Sequence, residues 1–124
     1  MTVIKIKALL QPTEDPERVV KAITNLFGDI QLDHDIEQNR ITGKIPEINL
    51  LRDLRGRIAQ DRIRVTIYNT LSRWAKDDYL SFGLNRQAAY AGHVSLNLIN
   101  EDPMGPIQVQ IRGEVQKAID FISQ

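Results

Sequence analysis

Three features of the 124-residue sequence predict an α+β fold of two layers, with a mostly antiparallel sheet of about six strands and helices on one face. Six short segments alternate apolar and polar residues with the period of two that a half-buried strand requires. Four longer stretches repeat apolar residues at helical spacing, and the elements follow one another as β-α-β-β-α-α-β-β-β-α. No linker, repeat or low-complexity segment divides the chain, so residues 1–124 are read as a single domain.

Ile4, Ile6, Ala8 and Leu10, alternating with Lys5, Lys7 and Leu9, predict the first strand. "PTEDPERVVKAITNLFG" then carries helix signals at both ends. Thr13 or Asp15 can cap it, acidic residues and Pro16 occupy the first turn, and Gly28 stops it. Val19, Val20, Ile23, Leu26 and Phe27 fall on one helical face. Ile30 and Leu32 begin a second strand and Ile41, Gly43 and Ile45 a third, joined by the polar hairpin connection "DIEQNR".

Pro46 opens the next helical stretch, whose buried stripe is Leu50, Leu51, Leu54 and Ile58, with Gly56 as a weak point. The pattern resumes at Ile63, Ile67, Leu71 and Trp74. This predicts two helices, or one bent helix, with a break near Gln60-Asp61, and places Trp74 in the core. Leu80, Phe82 and Leu84 supply the fourth strand and Val94, Leu96 and Leu98 the fifth. "NEDPMGP" is a turn, and Ile107, Val109 and Ile111 form the sixth strand with Gln108, Gln110 and Arg112 on its other face. The last helix buries Val115, Ala118, Ile119 and Ile122.

Between the fourth and fifth strands lies "LNRQAAYAG", which neither alternates nor reads as a hairpin turn. Asn85 is a good helix cap, the following residues favour helix, and Gly92 is a natural left-handed stop, so one or two helical turns are expected there. Arg86 and Gln87 would sit beside the free N–H groups of the first turn, an arrangement suited to an anion. Close packing alone would explain the alanines and the glycine, and it is the favoured main cause of them.

Composition narrows the function classes. A hydrophobic share of 42% and a charged share of 26% are those of a soluble globular protein. The absence of cysteine excludes disulfides and thiolate metal sites and suits a reducing compartment. No apolar run approaches the ~20 residues of a membrane span, and the first residues lack the pattern of a signal peptide, so a cytoplasmic location without membrane contact is expected. The formal net charge of zero averages an uneven chain. Residues 40–73 carry 8 basic side chains, seven of them arginine, against 3 acidic, whereas residues 1–39 carry 4 against 7. A local basic patch of this kind binds anions even on a neutral protein.

"LLRDLRGRI", "LNRQAAYAG" and "DPMGPI" occur in that order, and together they resemble the archaeal family of predicted RNA-binding proteins known as uncharacterised protein family 0201. The resemblance runs nearly the whole chain. Arg86 stands where the family usually has lysine, which keeps the charge but changes donor geometry, and Met104 where it usually has leucine. Membership implies an archaeal source and a fold similar to the ribosomal protein that carries 5S ribosomal RNA. It implies RNA as the partner, is compatible with a homodimer, and supplies no catalytic residues or cofactor.

The residues themselves point to a backbone-contacting surface. Arg52 and Arg55 project along one border of the apolar stripe and Arg57 along the other, with Arg62 and Arg64 in the next turn. The planar guanidinium donates two hydrogen bonds to phosphate and keeps its charge at any physiological pH. Arg86 with Gln87 forms a second expected contact, and Tyr68, Trp74, Tyr79 and Tyr90 are the rings on which bases could stack. The alternative is that the arginines solvate a helix face and pair with Glu47, Asp53 and Asp61. "DHD" at residues 33–35 is a poor metal site because consecutive strand residues point to opposite faces. No nucleophile elbow, P-loop or dinucleotide glycine pattern appears, so no enzyme is expected. The sequence thus predicts a non-catalytic RNA-binding protein. The alternative is a dimeric interaction module that binds no RNA.

Overall fold

The computed structural model describes residues 2–97 and 105–124. Along the chain run β1 (Val3–Leu9), α1 (Pro16–Phe27), β2 (Leu32–Asp35), β3 (Arg40–Ile45), a 3-10 turn (Ile48–Leu51), α2 (Arg52–Gln60) and α3 (Arg64–Trp74). They are followed by β4 (Tyr79–Leu84), α4 (Arg86–Tyr90), β5 (Ile107–Arg112) and α5 (Val115–Ile122). The strands form one sheet in the order β2-β3-β1-β5-β4, with every neighbouring pair antiparallel.

The architecture is α+β as expected, with five strands among the described residues in place of about six. Over residues 94–97 the expected extra strand is reduced to one bridge between Leu96 and Leu84, flanked by the Asn85 N–H donating to Ser95 O and the Asn97 N–H to Gly83 O. The ladder goes no further because the chain opposite Val94 turns into α4 at Arg86, and the Val94 N–H, directed away from β4, donates instead to Asp61 Oδ2 at 2.8 Å. Leu98 and the "NEDPMGP" turn as far as Met104 lie outside the described residues.

Strand alternation produces one dry face. Ile4, Ile6, Ile41, Ile45, Leu80, Leu84, Ile107, Val109 and Ile111 are each at most 1% exposed. Helices α1, α2, α3 and α5 cover them with Ile23, Leu26, Phe27, Leu54, Ile58, Leu71 and Ile119. Full burial of such side chains contributes roughly 1.5–3 kcal/mol each.

Local chemistry places the ends of the helices. Asp15 Oδ1 accepts the Glu17 N–H at 3.0 Å to start α1, with Pro16 in its first turn. Gly28, at φ 78°, ends it, and a Cβ at that position would run into the Asp53 carboxylate. The α2–α3 break falls where the sequence places it. Arg62 adopts the left-handed region (φ 58°) between the two helices. Ile67 and Leu71 continue the buried stripe, but Trp74 does not. It is 37% exposed, because it holds the last helical position and Ala75 behind it is already extended.

Asp61 ties this break to the segment after α4, accepting the Val94 N–H and lying 3.0 Å from His93 Nδ1. The Val94 hydrogen bond, opposed by desolvation and assisted by His93, holds the Asp61 carboxyl below its ordinary value of 3.8. A depressed carboxylate pKa stabilises the fold above pH 3.8, and that stability disappears as the pH falls through the lower folded-state value. Asp61→Ala is therefore expected to lower stability at neutral pH by about 1–3 kcal/mol. Denaturant titrations below pH 3.8 should show a weaker dependence on pH than those of the wild type. Parallel curves for the two proteins would disprove the role of Asp61.

Candidate nucleic-acid interface

The seven residues singled out by sequence occupy three different environments. Arg57 and Arg86 turn inward. Arg57 Nε donates to Asn25 O at 3.1 Å and a terminal nitrogen to Gly92 O at 3.3 Å, joining α2 to α1 and to the end of α4. Gly92, at φ 86°, lets the guanidinium approach, since a Cβ would stand 3.0 Å from that nitrogen. Arg86 is 5% exposed, and one of its terminal nitrogens contacts both Glu14 carboxylate oxygens at 2.6 and 2.7 Å. Asn25 completes this seam by donating from its side-chain amide to Ala89 O and Tyr90 O.

"LNRQAAYAG" does form the expected helical insert: Asn85 Oδ1 accepts the Ala88 N–H at 2.9 Å, and Gly92 takes the left-handed conformation. Its arginine serves packing rather than facing solvent. Gln87 remains exposed at the rim of a groove of about 600 Å³ between α1 and α4. The other cations there are also engaged. Arg18 and Lys21 lie 4.8 and 5.2 Å from the centroid of the Tyr90 ring, which they occupy in place of a base.

Arg55 stands between the two extremes, 4.4 Å from the Phe121 ring centroid and donating to Gln124 Oε1 at 3.2 Å. Arg52, Arg62 and Arg64 are exposed, and among the described residues none of them forms an ion pair with Glu47, Asp53 or Asp61. Arg73, which the sequence reading did not single out, is exposed as well. Helix α3 therefore presents two arginines with no acidic residue in its sequence. Arg64, Val65 and Tyr68 share one flank at i, i+1 and i+4, with Val65 and Tyr68 73% and 43% exposed. Arg73 lies on the outward ridge and Trp74 on the opposite flank at the far end. Of the four rings considered, Tyr79 lies 4.5 Å from the Arg112 guanidinium carbon and Tyr90 is covered, which leaves Tyr68 and Trp74 on the helical layer.

The register separates "DHD" as strand geometry requires: Asp33 and Asp35 pair with Thr42 and Arg40, and His34 with Ile41. Among the described residues no three His, Asp or Glu side chains are grouped to hold a metal, and no helix is long and apolar enough to cross a membrane.

Comparison with known proteins agrees with this picture of a whole-chain fold. A family model described as RNA binding matches residues 3–113. A UPF0201 protein of Methanothermobacter thermautotrophicus is 30% identical, over 99% of this chain and 92% of its own. One from Methanosarcina acetivorans is 36% identical, over 96% and 82%. The crystal structure of a UPF0201 protein from Methanococcus jannaschii superposes with a TM-score of 0.84 at 29% identity, covering both chains completely.

The inward-turned Arg86 generates a prediction about stability. Glu14→Ala deprives a nearly buried guanidinium of its carboxylate and should cost roughly 3–5 kcal/mol. Glu14→Leu combined with Arg86→Met should recover most of that loss. Denaturant midpoints measure both, and a Glu14→Ala midpoint equal to the wild type would refute the pinning role.

Proposed function

The chain belongs to the archaeal UPF0201 family, and from that premise we propose that it is a non-catalytic RNA-binding protein that holds the RNA backbone through its second and third helices. Arg52, Arg62, Arg64 and Arg73 contact phosphates, and Tyr68 offers a ring to an unstacked base. Arg55 assists from its position on Phe121, while Arg57, Arg86 and Gln87 shape the seam behind this surface. The observation that carries the reading is the acid-free exposed surface of α3, where Arg64 and Tyr68 are adjacent one turn apart on one flank and Arg73 stands on the outward ridge. Charge and ring in that pattern suit single-stranded or looped RNA, whose phosphates and exposed bases are both accessible. A fold like that of the ribosomal protein that carries 5S RNA, which the family resemblance implies, would favour a structured RNA as the target.

Binding of this kind is salt-dependent through counterion release, by about 0.7 in the slope of log K against log salt for each single-strand phosphate contact. The Arg62/Arg64/Arg73→Gln variant is expected to flatten that slope by about 2, and Tyr68→Ala to weaken binding by about 1–3 kcal/mol with the slope nearly unchanged. Fluorescence-anisotropy titration with cellular RNA at several salt concentrations measures both. Equal slopes and affinities for variant and wild type would remove the RNA from α3. A protein that sediments as a dimer and binds no RNA would instead favour an assembly role.

A further inference from the structure

The sheet has a second face, which no helix among the described residues covers, and its charges are arranged in a way that the sequence does not display. The register places outward residues in rows across the strands. One row runs Lys44, Lys5, Gln110 and Ser81; the next runs Asp33, Thr42, Lys7, Gln108 and Gly83. Lys5 and Lys44 are therefore directly opposite each other on neighbouring strands, a like-charge pair that destabilises a sheet. Lys7 lies on β1 one residue pair further along, and among the described residues none of the three lysines has a carboxylate in ion-pair contact.

The carboxylates of this face are confined to one edge. Asp35 lies 3.9 Å from the Arg40 guanidinium, and Asp33 is separated from Lys7 by a strand, roughly 10 Å. Across the five strands the outward cations are Lys5, Lys7, Arg40, Lys44 and Arg112, and the outward carboxylates Asp33 and Asp35. A groove of about 600 Å³ lies over the middle of the face, lined by Lys5, Lys7, Arg40 and Lys44, by the Gln108 and Gln110 amides on the neighbouring strand, and by one carboxylate, Asp33. At its border the Arg112 guanidinium covers the Tyr79 ring at 4.5 Å.

We propose that this open sheet face is a second binding site for the phosphate backbone of RNA, on the opposite side of the molecule from α3. The inference takes only the ligand class from the reading above; the residues and surface are independent of it. A strand face that merely needed solvation would gain by setting acids opposite its lysines, whereas here lysine opposes lysine and the groove holds four cations against the single carboxylate of Asp33. A bound polyanion converts that repulsion into shared attraction. The glutamine amides supply neutral donors to phosphate or ribose oxygens, in keeping with contacts that position a backbone without reading its sequence. A second copy of the chain seated face to face would instead bring one set of three lysines toward another, so charge complementarity favours the nucleic acid.

The test uses the full chain and a fluorescein-labelled oligouridylate of about eight nucleotides, within the site size of single-strand-binding folds and short enough to occupy one face at a time. Wild type, Lys5/Lys7/Lys44→Gln and Arg62/Arg64/Arg73→Gln are titrated at low salt, with thermal melts to establish folding. The wild type is expected to bind two oligonucleotides and each variant one, with the sheet variant melting no lower than the wild type because a like-charge pair has been removed. At 0.1 M salt the sheet site should lose on the order of 100-fold in affinity with its three lysines. Unchanged stoichiometry and affinity in the sheet variant would overturn the proposal and leave the α3 reading intact. A single wild-type site lost only in the sheet variant supports it and overturns the α3 reading. No binding by the wild type sinks both. A monomer–dimer equilibrium that changes only in the sheet variant would assign the face to a second copy and overturn the proposal.

Discussion

Among the described residues, the helices that cover the sheet all lie on one side of it, and this asymmetry sets the duties of nearly every residue. The inner face holds Ile, Leu and Val side chains with almost no exposure and stays dry only while α1, α2, α3 and α5 remain seated on it. The outer face must be compatible with water at every strand, and its two central rows are polar from β2 to β4, with Val3, Leu9 and Tyr79 nearer the strand ends. Helices that roof a sheet from one side also need lateral restraint, since apolar packing is non-directional. That restraint comes from directional polar contacts at the seam of α1, α2 and α4: the Arg86–Glu14 pair, Arg57 on Asn25 O and Gly92 O, and the Asn25 amide on the end of α4.

One residue type therefore divides between two jobs. Arginine's planar fork reaches carbonyls and carboxylates in a protein interior as well as it reaches phosphates. Where the guanidinium finds two internal acceptors, as at Arg57 and Arg86, it belongs to the architecture. Where the guanidinium is exposed and, among the described residues, forms no ion pair, as at Arg62, Arg64 and Arg73, its charge is available to a polyanion. Lysine in place of Arg86 would keep the charge at Glu14 but lose the fork.

The division is only partly legible in the sequence, for physical reasons that differ from element to element. Helix α1 announces itself because its signals are local: Asp15, Pro16, the apolar stripe and Gly28 all act within the element. The helical insert after β4 is legible for the same reason, through Asn85 and Gly92. Trp74 misleads because helical period locates a side chain around the axis and says nothing about where the covering layer ends. The segment after His93 alternates like a strand, yet the chain opposite it turns into α4 at Arg86, so among the described residues only Leu96 finds a bridge partner. Glu14 and Arg86 are 72 residues apart, so no local pattern reveals that this cation is already claimed. The basic rows on the open face are hidden likewise: Lys5 meets Lys44 only after β1 and β3 have paired.

If exposed, uncommitted cations are what bind the RNA, amide chemical shifts of the uniformly ¹⁵N-labelled protein during a titration with a single-stranded RNA should report it residue by residue. The largest perturbations are expected along α3 and at Lys5, Lys7, Lys44, Gln108 and Gln110, diminishing together as salt is raised, with little change at Arg57 or along the α1–α4 seam. Perturbations centred on Arg86, Gln87 and Tyr90, or a spectrum that RNA leaves unchanged at low salt, would contradict the account.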